Sequence, residues 1–414
     1  MNDNLKNTHQ ARTLGIAFLV FATLMLILFL PGTTGNQRTT FAFDLDLSPA
    51  LPIGSLTFST QGGIFLLAVV AVFLGAWQLA KGFKRVYPIL GLVVAMFVVA
   101  FLTWAARDRS MNMTGMLQST LLRAVPITLA ALCGVMCERC AVINIGIEGM
   151  MLSGAFVSAL VGSLSRSVWI GLIAALLAGG VMGALLAVLA IRYKVNQIVA
   201  GTAINILATG LTSYFSSRYL QAIPDLNKPP TFRAIALPGL SRLPILGPVL
   251  FTTTVPVYLM LLLVIVIYVM LFYTRWGLRT RAVGEHPKAA DTLGVNVFMT
   301  RYVNVILGGM VAGLGGAYLV LSSVARFDEL MTAGRGFIGL AAMIFGKWNP
   351  IGAFGASLIF GFADSLQTNL AILRVPIPSQ FLLMTPYLVT MIVLAGVVGR
   401  ANPPAADGLP YEKQ

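Results

Sequence analysis

The chain has 414 residues, 57% hydrophobic and only 10% charged, with 28 basic against 14 acidic side chains and a mean hydropathy of +0.86. Soluble domains carry about 25% charged residues, so a soluble enzyme, a nucleic-acid binder and a secreted disulfide scaffold are all excluded. The net charge of +14 reads as loop charge that orients a membrane protein, and Cys133, Cys137 and Cys140 with two distant histidines make neither a disulfide framework nor a metal set.

A transmembrane helix needs about 20 apolar residues. In chain order such stretches fall at about 14–30, 63–80, 87–105, 117–136, 141–162, 168–190, 196–216, 255–273, 298–321, 351–370 and 381–399, with a shorter one at about 336–346. The first follows Lys6 and Arg12 as a signal peptide would, but Phe29-Leu30-Pro31-Gly32 offers no small-residue cleavage site, so it reads as a retained anchor. The expected fold is an all-α polytopic membrane protein with about 11 to 12 hydrophobic segments. Residues 1–110 add about three of these and an outer segment near 31–60; residues 401–414 form a tail.

With the N-terminus cytoplasmic and every stretch crossing, 16 of the 28 basic residues fall on the inner side. Four of the others sit in one long polar segment at about 217–254, and long loops discriminate less than short ones. The short loops place both termini in the cytoplasm. Residues 336–346 rise only about 16 Å as a helix, against a hydrocarbon core of about 30 Å. They are therefore expected to form a half-helix or a re-entrant piece, whose non-helical backbone needs cover by protein or a cavity.

Glu148 lies about 10 Å into its stretch, where an ionised carboxylate needs a partner or water. It is either a pathway residue or cap of a broken helix, or a structural tie to the amides of Gly146 and Gly149 or to Arg139. Asn205 shares a helical face with Thr202 and Thr209, a stripe that suits contact with a polar solute and equally suits gluing two helices together. Asn144 and Asp364 carry the same two readings. The three cysteines stand at helical spacing and read as small packing residues. Forty-one glycines, including Gly308-Gly309 and Gly315-Gly316, indicate close helix packing.

The segment from Thr274 to Val295 is basic and too long for a simple turn. After Pro287, residues Lys288 to Leu293 suit a short helix stopped by Gly294. Ala289 and Ala290 would let another protein approach closely. The alternative is a solvated loop that only anchors its flanking helices. Gly284-Glu285-His286-Pro287-Lys288-Ala289-Ala290, followed by Gly294, resembles the Glu-Ala-Ala-type coupling segment of ABC importer permeases.

The resemblance extends further. Residues Glu138 to Phe156, Gln197 to Asn205, Met331 to Ile338, Ile344 to Pro350, and the tail Gly399 to Pro404 with Gly408 to Tyr411 are similar, in order, to the branched-chain amino acid and simple sugar permease superfamily, in its nucleoside-importer variant. The resemblance implies a type II-like ABC importer transmembrane domain over residues 111–400. ABC ATPase subunits would dock on the inner loops, where Arg279, Arg281, Gly284, Glu285, Pro287, Lys288, Ala289, Ala290 and Gly294 form the coupling segment. A second homologous permease would complete the pathway past Asn144, Glu148 and Asn205, and an extracytoplasmic binding lipoprotein would deliver the nucleoside. It implies a multi-pass protein of the bacterial plasma (inner) membrane that uses no cofactor, metal or catalytic residue of its own and takes no nucleic acid. The sequence contains no G-x-x-x-x-G-K-[ST] phosphate loop, so ATP would be hydrolysed by partners. A pentose permease is the nearest substrate rival. An ion-driven secondary transporter would need more deep ionisable groups than Glu148 and Asp364. A proton-translocating subunit of an energy-converting complex would need a chain of buried Lys, Glu or His, and no such chain appears.

Overall fold

In hydrocarbon every backbone N–H must find an internal partner, so apolar runs of membrane length fold as helices. The computed structural model follows this rule; it describes residues 2–44, 50–373, 375, 381, 384 and 402–413, with backbone alone for 2–11. The described residues fall into two compact units. One comprises those among 1–116, 242–245 and 368–382, the other those among 117–241, 246–367 and 383–414.

In the first unit α1 (Asn2–Leu24) continues through a π-type turn at Met25–Phe29. Two strands follow, β1 (Arg38–Ala42) and β2 (Ser55–Ser59), paired antiparallel with Arg38 opposite Ser59 and Ala42 opposite Ser55. Then come α2 (Thr60–Ala80) and α3 (Val86–Ala105), and β3 (Ser110–Asn112), which runs parallel to β1 with Phe41 opposite Met111. Thr, Phe and Leu on β1 and β2 favour the pleated surface. Ser59 closes the sheet and starts α2, its Oγ accepting from the Gly62 amide at 3.3 Å. The core gathers Phe18, Met25, Phe29, Ile64, Val93 and Met96. The Phe29 ring lies 5.3, 5.7 and 6.1 Å from the rings of Phe97, Phe101 and Trp104.

The second unit takes α4 (Met113–Glu138) from Leu117 onward, then α5 (Ile147–Ser165), α6 (Val168–Ala187) and α7 (Gln197–Phe215). The polar stretch after α7 holds β4 (Ile235–Ala236), α8 (Leu246–Leu250) and β5 (Thr252–Thr253), the two strands antiparallel. There follow α9 (Val255–Tyr273), α10 (Arg275–Glu285), α11 (Pro287–Thr292), α12 (Val297–Tyr318), α13 (Arg335–Phe345) and α14 (Pro350–Ile372), of which α14 belongs here as far as Gln367. Helices α5, α6 and α12 approach backbone to backbone. A Cβ on Gly154 would stand 2.7 Å from the Cα of Gly313, so only glycine fits. Cys133, Cys137 and Cys140 are free and wholly buried, packed with Ile147, Met150 and Val305.

Among the described residues nine helices are long and apolar enough to cross a membrane, and the chain is a multi-pass, mostly helical membrane protein. They coincide with nine of the expected stretches. The tenth is α14, a helix whose Asp364, Gln367 and Asn369 dilute its apolar character. The eleventh, at 381–399, lies outside the described residues but for 381 and 384. Two expectations are corrected. The fold is not wholly α, because the outer segment of the first unit and the polar stretch after α7 carry two small sheets. The stretch expected from 141 becomes helical only at Ile147, because Ala141 has φ 65 and the chain turns through the residues before Ile147.

Candidate functional site

The half-helix α13 is 11 residues long and is clasped at both ends by one short segment of chain, the turn from α4 into α5. At its N-terminus the Gly334 amide donates to Glu148 Oε1 at 2.8 Å and the Gly336 amide to Oε2 at 2.6 Å. These are N–H groups a helix cannot satisfy itself, and a carboxylate also complements the positive end of the helix dipole. Gly336 is required, since a Cβ there would stand 2.7 Å from Glu148 Cα. Beyond the C-terminus, Arg139 donates from Nε to the Trp348 carbonyl (2.8 Å) and from Nη2 to that of Lys347 (3.2 Å). Glu138 accepts from Trp348 Nε1 at 2.5 Å. An anion on the first amides is the arrangement the dipole favours, and Arg139 and Glu138 together pin the turn that follows the last helical residue.

Of the two readings of Glu148, the structure has the carboxylate on the amides of the broken helix. The tie to Gly146 and Gly149 is corrected. The Gly149 amide is taken by Asn205 Oδ1 at 2.8 Å, while Asn205 Nδ2 donates to the Ile145 carbonyl at 2.9 Å. Asn205 thus fastens the turn to α7. It also lines, with Glu148, Thr209, Leu330, Gly334 and Phe337, a cavity of about 420 Å³. Leu330 (φ 55), Ala333 (φ 46) and Gly334 (φ 79) hold left-handed backbone at its rim, a concentration of strain that only glycine adopts without cost.

Asn144 is not brought to this cavity. It is wholly buried, its Nδ2 facing the sulfurs of Cys133 (3.4 Å) and Cys137 (3.3 Å). Thr202 is exposed and bonds back to Ile198 at 2.9 Å. Asp364 pairs with Arg123 at 2.7 Å.

The basic segment forms α10 and α11. Thr274 Oγ1 accepts from the Gly277 amide (3.2 Å) and His286 Nδ1 from that of Ala289 (3.1 Å), capping the two helices. At the end of α11 the Gly294 amide donates to Asp291 and that of Val295 to Ala290, a Schellman closure in which Gly294 takes φ 82. Arg279, Glu285, Lys288, Ala289 and Gly294 are exposed; Arg281 and Pro287 are half-buried. Gly284 and Ala290 point inward, so Ala290 packs on Val283, Val297 and Tyr411 instead of facing out. In its place the surface presents Leu293, 85% exposed. The guanidinium of Arg281 lies 5.1 Å over the Phe272 ring.

The tail, Asn402–Lys413, is built into this end. The Ala406 amide donates to the Gly284 carbonyl at 3.0 Å and that of Ala405 to Glu285 Oε2 at 3.2 Å. Arg301, 1% exposed, donates to the Leu409 carbonyl at 3.1 Å, and Tyr411 meets the Phe298 ring at 5.4 Å. Glu412 pairs with Lys194 at 2.5 Å. Asp407 reaches the Glu138 carboxyl, and burial pushes its own carboxyl up to about 6. None of these ties is legible in the sequence, where Glu138 and Asp407 look like unrelated loop charges.

Nine membrane-length helices among the described residues and, in the second unit, a half-helix clasped at both ends define a polytopic membrane protein that contains a broken helix. The family described as the branched-chain amino acid transport system permease component matches residues 116–399, and the chain belongs to that family. As a permease component it is not itself an ATPase. The guanosine ABC transporter permease protein NupQ of Bacillus subtilis is 41% identical over 304 residues, covering 71% of this chain and 95% of the relative. The nucleoside ABC transporter permease protein NupC of Lactococcus lactis is 39% identical over 321 residues, 73% of this chain and 99% of the relative. TsgC13 of Haloferax volcanii, named provisionally as a glucose ABC transporter permease, is 37% identical over 257 residues, 61% and 77% of the two chains. No solved structure matches.

Proposed function

We propose that this chain is a membrane-spanning permease subunit of an ATP-driven nucleoside importer, with a type II-like transmembrane domain following an N-terminal extension of about 110 residues. The observation that carries this reading is identity near 40%, over 71% and 73% of this chain and nearly the whole of the relatives, to two permeases named for nucleosides, one of them for guanosine. In this reading both termini are cytoplasmic, in a bacterial plasma membrane. The exposed face of α10 and α11, with Arg279, Glu285, Lys288, Ala289 and Leu293, takes the ATPase subunit, while buried Gly284 and Ala290 hold that face in place. The cavity at Glu148 and Asn205 is part of the pathway, completed by a second permease, and an extracytoplasmic binding protein supplies the solute. Asn144 supports the turn from within the core.

The mechanism follows from the clasp. Rocking of α10 and α11 reaches the half-helix through Arg139, whose carbonyl packs against Gly284 and whose guanidinium holds Lys347 and Trp348. The opposite end moves with Glu148. A sugar permease is the second reading, favoured by the similarity to TsgC13.

The test is radiolabelled uptake in cells with and without this gene, comparing guanosine and uridine with ribose, with ATP and the ion gradient depleted separately. Loss of nucleoside uptake that responds to ATP depletion alone is expected. Loss of ribose uptake instead moves the assignment to sugars, and dependence on the ion gradient overturns the ATP-driven mechanism.

A further inference from the structure

At the end of the second unit opposite α10 and α11 lies a separate cavity of about 460 Å³, walled by the start of α4, the β5 segment and the last turn of α12. Its lining is rich in hydroxyls: Ser119, Thr252, Thr253, Thr254, Ser322 and Ser323. Of the 13 buried polar side-chain atoms that lack a hydrogen-bond partner among the described residues, four are hydroxyl oxygens lining this one cavity, those of Thr252, Thr253, Thr254 and Ser322. Thr253 is only 3% exposed. Buried polar groups are otherwise paired almost without exception, so four orphans around one cavity mark a place built to be filled by hydrogen-bonding matter.

The charges present narrow the chemistry. Arg123 is neutralised by Asp364 at 2.7 Å, and Arg335 spends Nη1 on the carbonyls of Met331 and Thr332 at 3.2 Å each. Arg335 keeps its charge, but the six serine and threonine hydroxyls of the lining outnumber it. A hydroxyl both donates and accepts, so a wall of hydroxyls is matched by a solute that carries several of its own, and such a solute reproduces the bonds of the waters it displaces. The Tyr318 ring in the same lining supplies an apolar face. The volume lies within the about 300–1,000 Å³ of small-molecule sites.

We propose that this cavity is a binding site, distinct from the Glu148 cavity, for an uncharged polyhydroxylated solute such as a ribosyl group or free sugar. The two cavities lie on either side of the N-terminus of α13: Gly334 lines one and Arg335 the other. Occupancy of the hydroxyl cavity thereby bears on the segment that Glu148 holds. The site opens to the outer face under the orientation proposed above, but it does not depend on the transported substrate.

The test uses Ser323→Cys, at an exposed position of the same lining, in the assembled transporter, in right-side-out vesicles labelled with a membrane-impermeant maleimide. The three native cysteines are wholly buried, so the unmodified protein is the blank. Labelling is expected, and ribose or uridine at about ten times its dissociation constant is expected to slow it about tenfold, whereas the free base and glycerol phosphate leave it unchanged. Protection by uridine but not ribose assigns the site to the nucleoside, and the reverse to a sugar. Adding Thr253→Val is expected to abolish protection while labelling persists. Tyr193→Cys, at a side chain 69% exposed in the loop between α6 and α7 and reached only from the opposite side, reports orientation independently. With that orientation established, an unreactive Ser323→Cys, or protection by glycerol phosphate alone, overturns the proposal, as does labelling that no polyol slows.

Discussion

The two units use helices of the same apolar character differently. In the first, only 28% of each of the three membrane-length helices is buried; the second adds to thinly buried helices of the same kind, α6, α7 and α9 at 39%, 28% and 33%, a set that is deeply buried, α4, α5 and α12 at 89%, 67% and 78%. Hydropathy does not separate them, since the thinly buried α3 is more apolar than the deeply buried α4. What separates them is glycine and small polar residues, which let backbones touch and so remove surface that lipid would otherwise cover. Apolar character marks what can enter a membrane; small residues mark which helices meet inside it.

The sharpest way to break this comparison is one substitution made in both units. Gly154→Val forces a side chain against the backbone at Gly313 and is expected to cost about 3 kcal/mol or more, seen as loss of folded protein in detergent melts. On α3, a Cβ added at Gly91 would meet nothing within 4 Å, and Gly91→Val is expected to change stability by under about 0.5 kcal/mol. Equal effects would remove the distinction.

Next in size is a pair of carboxylates doing the same job. Glu148 takes the amides of Gly334 and Gly336, and Asp44 in the first unit those of Ile53 and Gly54, both at 2.8 Å. The Asp44 bonds are open to solvent, so Asp44→Ala is expected to cost under about 1 kcal/mol, while Glu148→Ala strands two helix-end amides and costs about 2 kcal/mol. Uptake should fall sharply with Glu148→Ala and hold with Asp44→Ala. An Asp44 variant as damaging as the Glu148 variant would show that burial does not set the difference.

The smallest expected effect is on the tail. Burial raises the Asp407 carboxyl from 3.8 to about 6 beside Glu138 and Arg301. The docked tail therefore binds more protons than the released one between those values, so its docking is favoured below pH 4 and that contribution is lost as pH rises through 6. Proteolysis of the tail is expected to quicken from pH 5 to 7, and Asp407→Asn should flatten the profile.

Much of the architecture is present in the sequence alone. Stretch length and apolar content locate nine spans, the brevity of 336–346 isolates the half-helix, and Pro287 with Gly294 brackets α11, because each depends on local geometry that a few neighbouring residues decide. Pairings across the chain are not local. Glu148 meets amides 186 and 188 residues away, and Glu138 meets Trp348 at a separation of 210. Nothing in the spacing of the sequence could choose Gly334 and Gly336 over Gly146 and Gly149 as its partners. Ala289 and Ala290 look alike in a row of letters, and only the packing of Tyr411 beneath α11 makes one a surface residue and the other a core residue. Composition and periodicity determined that the chain lives in a membrane and where it crosses. Tertiary structure decided which buried charges find partners, because a lone charge in hydrocarbon is tolerable only where the folded chain delivers donors from elsewhere.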